Sequence, residues 1–227
     1  APPQVMNDEV LKAQYHNFED ACREQYKANR ALMNERGITG KEAARYILDK
    51  HGLCNIKVEP VRGFLSDHYD PRNNVIKLSE SNYNGYSIAS VAVACHECGH
   101  AIQDKEGYFF MKIRSAIVPI VNFSSYAGYI AIVLGCLFGA MNLIWLGIIA
   151  EIVILLFQLI TLPVEFDASK RALLWLSTNA EVMYTKEENS KAKDALWWAA
   201  MTYVIAALGA LANLIYYTSM LFGRARN

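Results

Sequence analysis

The sequence has no excess of either charge sign. Its 227 residues carry 22 Lys and Arg against 22 Asp and Glu, which gives a formal net charge of zero. A protein that binds nucleic acid needs a basic surface to displace counterions from the phosphates. The balance therefore argues against a nucleic-acid partner, and it removes any electrostatic reason to expect an acidic substrate.

Cysteine is scarce as well. The five cysteines are an odd number without regular spacing, so they form no recognisable disulfide framework. This usage is typical of reduced thiols in a protein that faces the cytosol.

Charge is almost missing from two long stretches. Residues 115–164 contain a single charged side chain, Glu151, and residues 195–223 contain none, whereas residues 1–114 hold 30 of the 44 charges. A soluble protein with very apolar core helices is the alternative interpretation, but uncharged runs of this length are rare in soluble proteins. The distribution predicts a membrane protein with a charged domain in front of its spans.

The uncharged stretches predict three membrane spans. A helix needs about 20 apolar residues to cross a bilayer, so the first stretch is long enough for two. We place these near 117–139 and 143–163, with a turn around 139–142. A third span is expected near 196–221, where aromatic residues of the interfacial type stand at both ends.

The charged domain is divided into short elements by its capping and turn residues. We predict a polar helix at 8–34, a helix from the N-cap Thr39 to about Lys50, and a longer helix from Ser87 to about Lys105. Three segments between the last two helices have β propensity, namely residues 56–61, 64–69 and 75–78, with a turn at 70–74.

The long helix contains a motif that indicates metal chemistry, His96-Glu97-Cys98-Gly99-His100. Two histidines four residues apart lie on one face of a helix, where both can bind one tetrahedral ion. Glu97 can then take a proton from a water held by the metal and pass it to a leaving amine. The motif predicts a zinc hydrolase with Glu97 as general base; a merely structural pair of histidines is the alternative.

A catalytic zinc needs a third protein ligand and an open fourth position. The metzincin extension fails, because Gln103 and Glu106 occupy the positions where it requires Gly and His. Asp104 lies one turn beyond His100, but the known three-ligand patterns do not use it. Glu165 follows the second predicted span and is the best-placed ligand, although it is also readable as a surface carboxylate at the membrane interface.

Specific motifs give the chain a resemblance to the YugP-like neutral zinc metallopeptidases of bacterial membranes. They extend from about residue 25 to the third span, which is about four fifths of the chain. Besides the HExxH helix, they are GKEAAR at 40–45, DHYDPR at 67–72, LSE at 78–80, AIQD at 101–104, LPVEF at 162–166, AS at 168–169, RAL at 171–173 and TYV at 202–204.

The resemblance implies a membrane protease and bears on the third ligand. The family is more distantly similar to the HtpX-type proteases, in which a Glu after a transmembrane hairpin completes the zinc site, and this favours Glu165. HtpX-type proteins place an Asp four residues after that Glu to orient the ligands, whereas this chain has Ser169. Family members also tend to begin with an apolar span, where this chain has a polar segment.

Several further residues are secondary candidates, each with an alternative interpretation. His68, with Tyr69 as runner-up, is a candidate donor to the oxyanion that forms during hydrolysis, and a solvated histidine is the alternative. The strand at 74–78 is a candidate edge for pairing with an extended peptide, or else ordinary sheet packing. We interpret Cys95 and Cys98 as packing thiols rather than ligands, because they lie on a different helical face from the histidines.

The predicted fold class is a mainly α membrane protein, with a zincin-like catalytic domain of helices and a small β-sheet and about three transmembrane helices. We divide the chain into an N-terminal polar helical segment (1–36), a zincin-like part with the motif helix (37–114), a transmembrane hairpin (115–164), a helix with the third ligand (165–194), and a third transmembrane helix with a short tail (195–227).

The basic residues near the spans predict which side of the membrane holds the zinc site. The transmembrane hairpin must return to its starting side for Glu165 to meet the histidines, and cytoplasmic segments are enriched in Lys and Arg. The expected catalytic side has eight such residues, against Arg224 and Arg226 on the other: Lys105, Lys112, Arg114, Lys170, Arg171, Lys186, Lys191 and Lys193. We therefore expect a bacterial plasma-membrane protein whose catalytic domain faces the cytoplasm.

The expected function is hydrolysis of peptide bonds in membrane-associated protein substrates by a membrane-embedded zinc endopeptidase. Two alternatives use the same residues: a non-catalytic membrane adaptor or scaffold with a structural zinc, and a zinc hydrolase for non-peptide amides. The expected partners are protein or peptide substrates and the lipid bilayer; a homo-oligomer or an adaptor partner is compatible with each function.

Overall fold

The computed structural model describes residues 20–21, 24, 32–63, 66–179, 182 and 185–224. The predicted helix at 8–34 lies almost entirely outside the described residues. The described chain is mainly helical with a three-stranded sheet, as predicted. It divides into a first unit, Ala1–Glu106 with Phe166–Thr202, and a second unit, Gly107–Glu165 with Tyr203–Asn227.

The first helix, α1 (Gly40–Lys50), begins at the predicted N-cap. The Glu42 backbone N–H donates to the Thr39 hydroxyl oxygen (3.2 Å), and the Glu42 carboxylate accepts from the Thr39 backbone N–H (2.8 Å). This reciprocal capping box satisfies two backbone donors that the helix start would otherwise leave unbonded. Arg45 then donates to the carbonyl oxygens of Ile56 (2.6 Å) and Leu53 (3.2 Å), which fixes the loop after the helix.

The sheet contains β1 (Lys57–Val61), β2 (His68–Asp70) and β3 (Val75–Ser79) in the order β1-β3-β2. β3 pairs with β1 in parallel and with β2 antiparallel, and the predicted turn between β2 and β3 is closed by Asp70, which accepts from the Arg72 backbone N–H (2.9 Å). The prediction of a free edge at 74–78 is wrong, because β3 is the central strand. Its mostly buried side chains agree with that position.

A short helix, α2 (Glu80–Tyr83), leads to α3 (Ile88–Glu106), the predicted motif helix. α3 is buried along most of its length and packs against α1. The two helices approach closely at Gly40, where a Cβ atom would lie only 3.0 Å from the Ser90 carbonyl oxygen and closer still to that of Asn82. The glycine is therefore required by packing, and it sets the motif helix against the core.

In the part of the chain that the structure describes, three further helices are long and apolar enough to cross a membrane: α4 (Phe109–Phe138), α5 (Met141–Thr178) and α6 (Lys186–Arg224). They correspond to the three predicted spans, although each helix is longer than the apolar stretch that predicted it. The turn between α4 and α5 lies where it was predicted, with Gly139 in the left-handed conformation (φ 64°) that ends α4. The unit boundaries fall at the end of α3, after Glu106, within α5, after Glu165, and within α6, after Thr202.

Within the second unit, α4 and α5 pack through small residues. A Cβ atom at Gly135 would lie 2.7 Å from the Ile144 side chain, and one at Gly128 would lie 2.5 Å from the Ala150 methyl group. Small residues let transmembrane helices approach closely, so that van der Waals packing replaces the hydrophobic effect as the main attraction between them.

Candidate metal centre

The two motif histidines lie together on one face of α3. The centroids of the His96 and His100 rings are 4.7 Å apart, and the ring planes are nearly perpendicular. His100 is buried and His96 is partly buried. Glu97, which directly follows His96 in the sequence, is also buried. The helical spacing thus places both imidazoles as the motif predicts.

Glu165 of α5 supplies the third side chain. Among the residues that the structure describes, His96, His100 and Glu165 form a group in which one ligand atom of each lies within 4.8 Å of the others. Only 1% of Glu165 is exposed. This carboxylate was predicted to follow a span, and the structure shows it inside a continuous helix that runs on to Thr178.

The environment of Glu165 fits a bound cation. Burying a carboxylate is costly unless positive charge compensates it. The Arg114 guanidinium lies 3.5 Å from Glu165 Oε1 and supplies part of that charge. Two imidazole nitrogens and one carboxylate oxygen form a ligand set that Zn²⁺ prefers in catalytic sites. The residues present therefore fit zinc.

A glycine brings the ligand-bearing parts of α3 and α5 together. A Cβ atom at Gly99 would lie 2.8 Å from the Ala168 carbonyl oxygen and 3.1 Å from its Cα atom. Those neighbours belong to the backbone, so they cannot move aside as a flexible side chain can. Gly99, inside the HExxH motif, is thus a packing requirement of the centre.

Each histidine has a polar neighbour at its Nδ1 atom. Nδ1 of His96 lies 3.1 Å from the Ser169 hydroxyl, and Nδ1 of His100 lies 3.0 Å from Oε1 of the fully buried Gln103. Ser169, which stands where HtpX-type proteins have Asp, therefore contacts a predicted ligand itself. Such neighbours fix the orientation of metal-binding histidines.

The candidates for oxyanion donation lie in different surroundings. His68 is exposed, and its Nδ1 atom lies 2.7 Å from the Ser66 carbonyl oxygen. Tyr69 is buried and its hydroxyl donates to Asp104 (3.0 Å). Burial, together with the Asp104 charge, raises the pKa of Tyr69, so the phenol stays protonated at neutral pH. Asp104 therefore has a partner of its own and is not in the three-residue ligand group.

Both cysteines beside the motif histidines are buried. Cys98 directs its thiol towards the Ala44 carbonyl oxygen (3.5 Å), and neither cysteine belongs to the ligand group found among the described residues. Burial raises the pKa of the Cys95 and Cys98 thiols, which disfavours the thiolate form that binds metals. These observations support their interpretation as packing thiols.

A cavity of about 350 Å³ lies in the first unit, beside a different face of α3. Its α3 lining residues repeat every three or four positions, as one face of a helix does, and none of the three possible ligands lines it. The lining is mainly apolar: Ile47, His51, Cys95, Gly99, Ile102, Glu106, Arg171, Ala172, Leu174, Trp175 and Thr178. The cavity is therefore separate from the metal centre.

The buried histidine-carboxylate group and the three apolar helices define a membrane protein of the zinc-peptidase class. The chain matches the family model described as "Putative neutral zinc metallopeptidase" over residues 17–222, and it belongs to that family. It is 47% identical over 192 residues, 84% of each chain, to "Putative membrane protease YugP" of Bacillus subtilis (strain 168). No solved structure matches the chain.

The comparisons confirm the family resemblance and the zinc cofactor that the sequence predicted. Sequence reasoning missed the contacts that support the centre. Gln103 was considered only as a failed metzincin position, and Asp167 was not singled out. The spacing of three residues between His100 and Gln103, which places them on one helical face, is the signal that could have identified the first of these contacts.

Proposed function

We propose that the protein is a zinc endopeptidase of the HExxH…E type, with His96, His100 and Glu165 as metal ligands and Glu97 as general base. The observation that carries the proposal is that one ligand atom each of His96, His100 and Glu165 lies within 4.8 Å of the others. The residue that follows His96, Glu97, is buried. A structural zinc site has four protein ligands, whereas catalytic sites have three and an open position. The three-residue group supports the catalytic alternative.

The roles of the chain's own residues follow from their chemistry. When bound, zinc supplies Lewis acidity that makes a water more acidic and polarises a carbonyl group. Glu97 takes a proton from the attacking water as the new bond forms between the water oxygen and the peptide carbonyl carbon. The same carboxylic acid then protonates the amide nitrogen as the C–N bond breaks, which returns Glu97 to its carboxylate form.

His68 is the proposed donor to the oxyanion, and its hydrogen bond sets a condition on that role. A carbonyl oxygen only accepts, so the Nδ1 atom beside Ser66 carries the hydrogen. In the neutral ring Nε2 is then an acceptor. His68 can therefore donate through Nε2 only when both ring nitrogens carry a hydrogen.

The proposed substrates are membrane-associated proteins or peptides. Glu165 belongs to a helix that is long and apolar enough to cross a bilayer, which supports a centre close to the membrane. Near the ends of the spans, the expected catalytic side has eight Lys and Arg residues and the other side has two. This excess favours a cytoplasmic catalytic side in the bacterial plasma membrane.

Two substitutions test ligation and catalysis separately in the purified protein. Glu165→Ala should lose bound zinc, because it removes a ligand. Glu97→Gln should keep zinc but lose peptide cleavage by at least about 100-fold, since an amide cannot act as a base. Zinc content by mass spectrometry and cleavage of a peptide library are the measurements. Glu59→Gln, an exposed glutamate on β1, is the matched control and should change neither.

Two outcomes would contradict the proposal. Full zinc occupancy in Glu165→Ala would exclude this residue as a ligand. Undiminished cleavage by Glu97→Gln would exclude the general-base mechanism. Stoichiometric zinc without any cleavage in the wild-type protein would instead favour the adaptor with a structural zinc.

A further inference from the structure

We propose that Asp167, acting through Gln103, selects the ring tautomer of His100 that offers Nε2 to the metal. The inference rests on the proposed function, because it takes His100 to be a zinc ligand. Asp167 and Gln103 are positioning residues in this scheme. They belong to a hydrogen-bonded series within the first unit that continues to Arg171 and Glu106.

The series begins with an arginine whose hydrogen-bonding role is unambiguous. Arg171 donates from Nε to Oδ2 of Asp167 (2.5 Å) and from Nη1 to Oε2 of Glu106 (2.6 Å). A guanidinium has donors and no acceptor. Oδ2 of Asp167 must therefore be an acceptor, whatever the other oxygen of the carboxyl group does.

The acceptor oxygen determines the orientation of the next side chain. Nε2 of Gln103 lies 2.8 Å from the same Oδ2 atom. The two ends of an amide look alike, but only its NH₂ group can face an acceptor. Gln103 is 0% exposed, so water does not compete for this choice. Its carbonyl oxygen, Oε1, consequently faces His100.

The oriented amide then determines the tautomer of His100. Oε1 of Gln103 lies 3.0 Å from Nδ1 of His100 and can only accept, so Nδ1 carries the hydrogen. A neutral imidazole has a single N–H, which leaves the lone pair on Nε2. A metal ligand needs that lone pair. The series therefore prepares His100 to bind through Nε2.

The other histidine is held in a different way. Ser169 offers His96 a hydroxyl group, which can donate or accept and so does not by itself select a tautomer. The His100 side is connected through Gln103 to the Asp167 carboxylate. We therefore expect a change at Asp167 to act on His100 in particular.

The test is Asp167→Asn, measured first without metal. An amide at position 167 can donate towards Gln103, which allows Gln103 to turn and His100 to adopt the Nε2–H tautomer. ¹⁵N NMR of the metal-free protein should show His100 as the Nδ1–H tautomer in the wild type and as a mixture in Asp167→Asn. His100→Ala, which lacks the signal, assigns it.

Zinc affinity gives a second measurement. Loss of such an outer partner commonly weakens metal binding 10- to 100-fold. We expect a fall of this size for Asp167→Asn, measured by competition with a chelator. Asp49→Asn is the matched control, because it changes another Asp–Arg pair at positions i and i+4, in which Nη2 of Arg45 lies 2.7 Å from Oδ1 of Asp49. That pair is not part of the hydrogen-bonded series that reaches His100, so the variant should bind zinc like the wild type.

A double variant separates positioning from a general structural effect. In Gln103→Glu with Asp167→Asn, the new carboxylate accepts from Nδ1 of His100 and the new amide donates to that carboxylate. The bond between residues 103 and 167 is reversed, but an obligate acceptor again faces Nδ1 of His100, so both the tautomer and the zinc affinity should return. A merely structural role of Asp167 would not be rescued by this exchange.

Three results would overturn the inference: an unchanged tautomer in Asp167→Asn, unchanged zinc affinity there, or a double variant as weak as the single one. If Asp167→Asn fails to fold, the double variant decides alone. If the wild type binds no zinc, the proposed function fails, whereas the tautomer of His100 in the metal-free protein still tests the hydrogen-bonded series.

Discussion

The two units of the molecule differ in the side chains that they mainly bury and expose. The first unit buries polar side chains in hydrogen-bonded sets, such as Ser87, Ser90 and Asn82 between α2 and α3. The second unit exposes large apolar side chains, among them Phe123 at 75% and Leu137 at 72%. An apolar surface of that kind is stable in lipid and costly in water.

The difference shows that burial has a separate meaning in each unit. In the first unit a buried residue is removed from water, and the hydrophobic effect stabilises it. In the second unit an exposed leucine contacts a medium as apolar as itself, so little is gained by burying it, and close packing at glycines matters more. Predictions that compare matched changes in the two units can break or sharpen this contrast.

The largest difference is expected for a charge placed on an exposed apolar position. Ile130 of α4 is 55% exposed and Tyr86 of the first unit is 46% exposed. Ile130→Lys should destabilise the inserted protein by about 3 kcal/mol, because a lysine near the centre of a span must leave water. Tyr86→Lys should change stability by no more than about 0.5 kcal/mol.

Membrane extraction and unfolding in lipid measure both variants. Equal losses for Ile130→Lys and Tyr86→Lys would mean that the exposed face of α4 does not contact lipid.

A smaller contrast is expected between two close-packed glycines. Gly99→Ala pushes a methyl group against the Ala168 backbone, and Gly128→Ala pushes one against the Ala150 methyl group. Overpacking costs about 1–3 kcal/mol in each case. Only Gly99→Ala should also weaken zinc binding, because it separates the helices that carry His100 and Glu165.

Thermal unfolding and chelator competition distinguish the two effects. A Gly99→Ala variant with wild-type zinc affinity would show that the ligands converge without this contact.

The smallest effect is expected at the start of α1, where water rather than lipid surrounds the helix end. Thr39→Ala removes the hydroxyl half of the capping box, keeps the bond from the backbone N–H of residue 39 to Glu42, and should cost about 1 kcal/mol. The backbone and side-chain hydrogen bonds from Thr39 lower the pKa of Glu42. That contribution to stability is present above the ordinary glutamate pKa and is lost as the pH falls through the lowered value in the folded protein.

Unfolding at pH 7 and at pH 3 therefore provides the measurement. The wild type should lose more stability than Thr39→Ala between these values, because the variant lacks the hydroxyl's share in lowering the pKa of Glu42. An equal loss in both proteins would mean that the Thr39 hydroxyl does not help to lower it. In the second unit α4 ends through backbone geometry at Gly139 and offers no comparable titration.

Local patterns explain which features were predictable from the sequence. Three features depend on neighbouring residues: the start of α1, the extent of α3 along the sequence, and the turn at Gly139. Capping and periodicity rules therefore locate them. Glu165 was identified from its position after an apolar stretch, together with a family resemblance.

The strand order was not predictable in the same way. The sequence indicated three β segments, but placing β3 between the other two depends on contacts between distant residues. The connection between Gln103 and Asp167 spans 64 positions and likewise leaves no local signature. The prediction of an edge strand at 74–78 was wrong for this reason. The hydrogen-bonded series from Asp167 through Gln103 to His100 could be found only in the three-dimensional structure.

The order of the proposed ligands along the chain has a consequence for how the protein is made. His96 and His100 leave the ribosome before α4, whereas Glu165 comes after α4 and two thirds of α5. With Glu165 as third ligand, a nascent chain that has not yet completed its membrane hairpin holds only two of the three. With these ligands, the chain would not hold its full metal site until its hairpin has been synthesised, so cleavage that depends on the metal could not begin earlier.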